Sequence, residues 1–208
     1  MTTLLQWRDT WKGLGAAADD DELFGELIVR YSEPHRKYHT LQHLAECLEH
    51  FRELSALAEF PAEIELALWF HDAVYDVARN DNETRSADWA RASLLAQSAA
   101  SAMRVAAQRV HGLIMATRHD AAPAGRDAGI LVDADLWILG APAGRFDEYE
   151  RQIREEYRHI PDFLFRPKRK ALLQKLLRRP RLFSTGIFFA RCEPQARANI
   201  ARSLARLE

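Results

Sequence analysis

The chain has 208 residues, of which 48% are hydrophobic and 28% are charged, and its formal net charge is −1. The length allows one sizeable core, so we expect residues 1–208 to form a single globular domain, and the near-neutral charge gives no strong sign of nucleic-acid binding. Since no apolar run approaches the ~20 residues that cross a bilayer and no secretory signal pattern is present, we expect no membrane association and a cytoplasmic location.

Apolar residues recur at three- and four-residue spacing along almost all of the chain, and alternating runs of β-branched residues are missing. This pattern predicts an all-α fold, a bundle of nine or ten helices. The predicted helices lie at residues 3–13, 20–31, 38–57, 61–76, 83–97, 100–118, 127–139, 144–158, 168–179 and 193–206.

Several helix boundaries are predicted from residues with special backbone chemistry. Pro61 suits the first turn of a helix, because proline has a fixed φ and lacks the amide donor. Asn82 is predicted to cap the next helix, with Glu83 in its first turn. Residues 120–129, which include two glycines and a proline, form the clearest predicted loop.

Two further features have simple structural interpretations. The two cysteines, Cys47 and Cys192, are too few for a cysteine-rich zinc site, and we expect both to be small buried residues. Residues 166–181 contain eight basic residues and no acidic one. We favour a solvated helix face for this segment over a surface that binds a polyanion.

Histidine and aspartate residues recur on three of the predicted helices. His39 and His43 are one turn apart on the first, His71 and Asp72 lie near the end of the next, and Asp135 lies on a later one. Imidazole and carboxylate groups together suit a divalent metal, and a helical bundle can bring them to one point. Adjacent residues point about 100° apart on a helix, so His71 and Asp72 share a metal only if the last turn opens.

These segments resemble the HD superfamily of metal-dependent phosphohydrolases, and in particular a small bacterial branch of predicted HD phosphohydrolases. The adjacent His71-Asp72 pair is the family's signature, and Tyr38-His39-Thr40-Leu41-Gln42-His43 matches a pattern of its cyclic nucleotide phosphodiesterases. The resemblance spans about residues 31–140 and implies that the helices of residues 144–208 pack on this core. Further matching segments are Trp69 to Asp76, Asn82 to Ala87 and Asp133 to Gly140.

The resemblance implies a set of metal ligands and a general acid. The ligands would be His43, His71, Asp72 and Asp135, holding one or two divalent ions of Mn, Co, Mg, Zn or Fe. Asp133 competes with Asp135, but Ala134-Asp135-Leu136 fits the family setting better, and we expect Asp133 to point to a cap or an arginine. His39 would donate a proton to the leaving oxygen, although Thr40 replaces the asparagine usual in the phosphodiesterases.

Other residues are candidates with structural alternatives. Glu83 is a candidate base or water ligand, and helix capping explains it equally well. Arg36, Arg85 and Arg118 are candidate phosphate-binding residues, because arginine presents a bidentate fork, yet each could belong to an exposed basic surface. His111 and His119 could enlarge the metal site, since dinuclear relatives carry extra histidines in this region.

The predicted function is therefore hydrolysis of a small phosphate ester, such as a nucleotide, by metal-activated water. Two alternatives remain open. The first is a di-iron oxygenase, which would need His111 and His119 as additional ligands. The second is a metal-binding domain that senses a signal or binds a partner without turnover. The substrate and the oligomeric state do not follow from the sequence.

Overall fold

The computed structural model describes residues 3–16, 20–98 and 100–207, and this part of the chain contains ten α-helices and no strands. The all-α prediction is therefore confirmed. The helices are α1 (Leu4–Gly13), α2 (Asp21–Tyr31), α3 (Leu41–Leu54), α4 (Pro61–Phe70), α5 (Asn82–Gln97), α6 (Ser101–Ala116), α7 (Arg126–Leu136), α8 (Ala143–Glu156), α9 (Asp162–Leu177) and α10 (Gly186–Arg206). Short 3₁₀ turns follow α3 at Ser55–Leu57 and α7 at Trp137–Gly140. In these described segments, no helix is both long and apolar enough to span a membrane.

Helix α4 lies at the centre of the bundle. It is buried on nearly every side and packs against α1, α3, α5, α6 and α7, as expected of a helix that is apolar all round. Its Trp69 ring lies 5.4 Å from that of Trp7 on α1, and the two rings meet edge to face. Burial of these large aromatic side chains stabilises the position of the C-terminal end of α4, which carries the His71-Asp72 pair.

Three boundaries near the candidate site residues differ from the sequence prediction. Helix α3 begins at Leu41 and not at residue 38, with the Thr40 hydroxyl capping its first turn. Helix α4 ends at Phe70 and not at residue 76, so His71 is its C-terminal cap residue. Asn82 is the first residue of α5 and not its cap, because its side chain instead pairs with the backbone N–H and carbonyl of Asp76.

Two helices begin earlier than predicted because each continues through a proline. Helix α9 contains Pro167 and α10 contains Pro194. A proline inside a helix leaves the carbonyl four residues before it without a donor. Those carbonyls belong to Phe163 and Ala190, which are exposed, so water can replace the missing donors.

Candidate metal centre

Four side chains from three regions of the chain converge on one buried point. The Nε2 atoms of His43 and His71 lie 3.1 Å apart. Asp72 Oδ2 lies 3.3 Å from the first nitrogen and 3.1 Å from the second. Asp135 Oδ1 lies 3.3 Å and 3.7 Å from the same two atoms. The structure thus brings together the four residues that the sequence singled out as ligands.

The spacing of these donor atoms fits a metal ion at their centre. Donors about 2.1 Å from a common ion lie about 3.0 Å apart at right angles and about 3.4 Å apart in a tetrahedron. The five distances between 3.1 and 3.7 Å fall close to these values. Two nitrogens and two carboxylate oxygens form a mixed donor set suited to Zn²⁺, Mn²⁺, Co²⁺ or Fe²⁺.

The end of α4 explains how adjacent residues reach the same point. The helix stops at Phe70, and His71, whose backbone is still helical, is its cap residue. Asp72 lies in the turn that follows, and its Oδ2 reaches to within 3.1 Å of His71 Nε2. The Arg36 guanidinium holds this turn, donating to the carbonyls of Asp72 at 2.7 Å and Ala73 at 3.1 Å. The backbone N–H of Asp72 also donates to the Tyr31 hydroxyl, at 3.3 Å.

A hydrogen bond fixes the orientation of the His71 ring. Its Nδ1 donates to the Leu68 carbonyl at 2.7 Å, one of the carbonyls left without an amide partner at the end of α4. Since the proton is on Nδ1, the lone pair of Nε2 faces the cluster in the neutral ring. A partner of this kind on the second nitrogen is typical of metal-binding histidines.

The cluster is electrostatically arranged to hold positive charge. Burial by itself would raise the pKa of Asp72, but the charges of His71 and His39 keep that pKa well below its usual value. Burial would also raise the pKa of Asp135, but hydrogen bonds from His119 and His43 lower that pKa below its usual value. Two ionised carboxylates beside two imidazoles require a cation or protons between them.

His39 lies beside the cluster but not on α3, which corrects the predicted arrangement of His39 and His43 on one helix face. The two rings nevertheless have centroids 5.7 Å apart. His39 Nδ1 donates to Glu156 Oε2 at 2.8 Å, and the His39 ring stacks on Tyr75 at 4.2 Å. Its side chain is partly exposed, whereas His43 and His71 are buried.

Glu156, at the end of α8, is the residue that positions His39. Its Oε1 accepts hydrogen bonds from three consecutive backbone N–H groups, at 2.8 to 2.9 Å, those of Lys37, Tyr38 and His39. Its Oε2 accepts from the His39 ring and, at 3.0 Å, from the Tyr75 hydroxyl. Burial tends to raise the Glu156 pKa, but the charge of His39 and these hydrogen bonds lower it to about 2. Glu156 lies 117 residues from His39, and no local pattern marks it.

Cys47 is a second residue that the sequence analysis missed as part of this site. It is buried as expected, one turn after His43 on α3, and its Sγ lies 3.6 and 3.7 Å from the two ring nitrogens of His43. Sγ and potential donor atoms of His43, His71 and Asp135 all lie within 4.8 Å of one another. The four-residue spacing from His43 was the available signal.

The two additional histidines have different surroundings. His119 Nε2 lies 3.0 Å from Asp135 Oδ2, so this residue touches a candidate ligand. His111 lies on α6 and faces Asp88 of α5, with its Nε2 3.4 Å from Asp88 Oδ1. The structure therefore gives His111 a partner other than the four converging side chains.

The remaining candidates lie outside the converging group. Arg36 is buried, and four of its five N–H donors point to Glu33 and to the carbonyls of His39, Asp72 and Ala73. Arg85 is exposed, and Arg118 is exposed and pairs with Asp120 at 3.2 Å. Glu83 lies in the first turn of α5 and is partly exposed.

Asp133 has a structural partner of the kind predicted. Its two carboxylate oxygens accept hydrogen bonds from the backbone N–H groups of Ser184 at 2.6 Å and Thr185 at 2.7 Å, at the start of α10. Asp133 therefore has a different role from Asp135, although the two are only two residues apart in the sequence.

Comparison with known proteins adds no relative to this description. No protein family model, curated protein sequence or solved structure matches the chain. The buried His, Cys and Asp cluster that could hold a metal ion is therefore the main evidence on function.

Proposed function

We propose that this chain is a metal-dependent phosphohydrolase of the HD type that cleaves a small phosphate ester, such as a nucleotide. The observation that carries the proposal is the convergence of His43, His71, Asp72 and Asp135, with donor atoms 3.1 to 3.7 Å apart. The order and spacing of these residues along the chain resemble the HD pattern, which supports phosphoester chemistry over other uses of a divalent metal.

The four converging residues would hold the ion. A divalent metal supplies Lewis acidity to a phosphoryl oxygen and lowers the pKa of water, so that hydroxide is available near neutral pH. Asp72 and Asp135 contribute two negative charges, which offset the charge of a divalent ion. The His71 hydrogen bond to the Leu68 carbonyl keeps the Nε2 lone pair directed to the ion site.

His39 is the proposed general acid. Its Nδ1 is occupied by Glu156, so its Nε2 is the nitrogen that can carry a proton to a leaving oxygen. The carboxylate of Glu156 holds the ring through the hydrogen bond at Nδ1, and stacking on Tyr75 fixes the plane of that ring. This arrangement resembles the orienting carboxylate of other histidine-based sites, where the partner fixes the tautomer and orientation of the ring.

The test is phosphate release by protein that has been stripped of metal and reloaded. We would add Mn²⁺, Co²⁺, Mg²⁺, Zn²⁺ or Fe²⁺ and offer a panel of nucleotides and of nitrophenyl phosphate monoesters and diesters. Wild type should release product with at least one metal, and His71→Ala combined with Asp72→Ala should abolish both metal binding and release. His111→Ala removes a histidine that faces Asp88 and serves as the matched control.

A second variant separates acid catalysis from metal binding. His39→Ala should retain the metal and lose about 10²- to 10⁴-fold in rate, the usual contribution of a positioned acid. If wild type releases no more product than the double variant with any metal and any substrate, the phosphohydrolase proposal is wrong. If wild type also takes up no metal, the metal centre is wrong as well.

A further inference from the structure

We propose that His119 is a positioning residue that sets the orientation of the Asp135 carboxylate, and that Arg179 holds His119 in place. This inference rests on the proposed metal centre and gives His119 a role other than that of an additional metal ligand. It also gives a role to one member of the basic segment at residues 166–181.

The two oxygens of Asp135 have different partners. Oδ1 lies 3.3 Å from His43 Nε2 and 3.7 Å from His71 Nε2, whereas Oδ2 lies 3.0 Å from His119 Nε2. A carboxylate that binds a metal ion through Oδ1 carries no proton, so the His119 nitrogen is the donor in the hydrogen bond to Oδ2. A nitrogen that carries a proton for Asp135 has no lone pair for a metal. The contact therefore restrains Asp135 so that Oδ1 faces the ion site.

The backbone of His119 is strained, which indicates that its side chain is needed there. Its φ is 55°, and among the described residues it is the one non-glycine residue with positive φ. Glycine or asparagine adopts this left-handed conformation at lower cost, and it is common just after a helix, as here beyond the end of α6. Strain of this kind persists where surrounding contacts impose it, often at functional sites.

Arg179 supplies such a contact. Its guanidinium donates to the His119 carbonyl at 2.6 Å. The backbone of His119 is therefore held by Arg179, while its side chain contacts Asp135. The carbonyl of Arg179 in turn accepts from Arg197 on α10 at 2.8 Å. Asp135, His119, Arg179 and Arg197 thus form a continuous set of hydrogen bonds from the candidate metal centre to the C-terminal helix.

Three substitutions at His119 separate the hydrogen bond from the strain. His119→Gln keeps a donor nitrogen at a similar reach, His119→Met fills a similar volume without a donor, and His119→Gly removes the donor while permitting positive φ. For each variant we would measure the dissociation constant for Mn²⁺, the visible spectrum of the Co²⁺ form, and the urea midpoint of metal-free protein. Arg179→Gln tests the backbone contact in the same three measurements.

The positioning role predicts a specific pattern. His119→Met and His119→Gly should weaken Mn²⁺ binding about 10- to 100-fold, the usual effect of losing a group that orients a ligand, and His119→Gln should stay within about threefold of wild type. The Co²⁺ spectrum should change in His119→Met and His119→Gly and should be preserved in His119→Gln. The urea midpoint of metal-free His119→Gly should equal or exceed that of wild type, because glycine relieves the backbone strain. Its affinity for Mn²⁺ should nevertheless fall. Arg179→Gln should weaken Mn²⁺ binding less than His119→Met does.

The opposite results would overturn the inference. If His119→Met binds Mn²⁺ as wild type does, His119 does not position Asp135. If wild type binds two ions and His119→Gln and His119→Met each bind one, His119 is a ligand and not a positioning residue. A wild-type protein that binds no metal would instead refute the proposed metal centre, so the two failures are distinguishable.

Discussion

Replacement of Glu156 by glutamine should destabilise the fold in a pH-dependent way. Glu156→Gln keeps the shape of the side chain and one acceptor oxygen but removes the charge. The native carboxylate has no exposed side-chain surface and accepts five hydrogen bonds, from the backbone N–H groups of residues 37–39, the His39 ring and the Tyr75 hydroxyl. In the variant an amide NH₂ must replace an oxygen, such as Oε2, that accepts two hydrogen bonds in the native protein.

The size of the effect follows from the Glu156 pKa. That pKa falls from an ordinary 4.5 to about 2, since the charge of His39 and the hydrogen bonds outweigh the effect of burial. A difference of this size corresponds to about 3 kcal/mol in the free energy of unfolding. Because the folded state binds the proton less tightly than the unfolded state, this contribution is fully present above about pH 4.5 and is lost as the pH falls toward 2.

Urea unfolding of wild type and variant between pH 3 and pH 7 measures this contribution. The difference between the two proteins should be about 3 kcal/mol at pH 7 and should shrink below about pH 4.5. Glu155→Gln, at the exposed neighbouring residue, is the matched control and should change stability by less than about 0.5 kcal/mol. A difference that equals that of the control, or that does not vary with pH, would refute the reasoning.

Two further substitutions test the contacts around the site. Arg36→Met removes the guanidinium that donates to the buried carbonyl of Ala73 and the partly buried carbonyl of Asp72, and it should lower the free energy of unfolding by about 3 kcal/mol. The exposed Arg85→Met should lower it by less than about 0.5 kcal/mol. Equal effects of the two substitutions in urea unfolding would show that Arg36 is dispensable. Asp133→Ala removes the acceptor for two backbone N–H groups at the start of α10 and should cost about 2 kcal/mol while leaving Mn²⁺ affinity unchanged. A loss of Mn²⁺ binding in Asp133→Ala would mean that Asp133, and not Asp135 alone, serves the metal centre.

The helices could be predicted because their signals are local. Apolar spacing located all ten, and Pro61 marked the start of α4 as expected. The errors in helix boundaries arise where tertiary structure determines how far a helix extends. The predicted helices at 168–179 and 193–206 start too late, because α9 and α10 each continue through a proline. Whether a helix tolerates an internal proline depends on whether water reaches the freed carbonyl. The single-domain organisation of residues 1–208 stays a prediction.

The site was predictable to the extent that its residues carry their own chemistry. His43, His71, Asp72 and Asp135 belong to a recognisable pattern, whereas Glu156 is one glutamate among several on α8, and only folding brings it to His39. The sequence also posed a geometric problem, since a continuous helix through residue 76 would turn His71 and Asp72 apart. Helix α4 ends at Phe70, and that end both frees the Leu68 carbonyl to orient His71 and lets Asp72 turn to the same point. One helix terminus therefore provides the hydrogen-bond partner and the geometry that the pair needs, and Arg36 fixes the turn beyond it by donating to the carbonyls of Asp72 and Ala73.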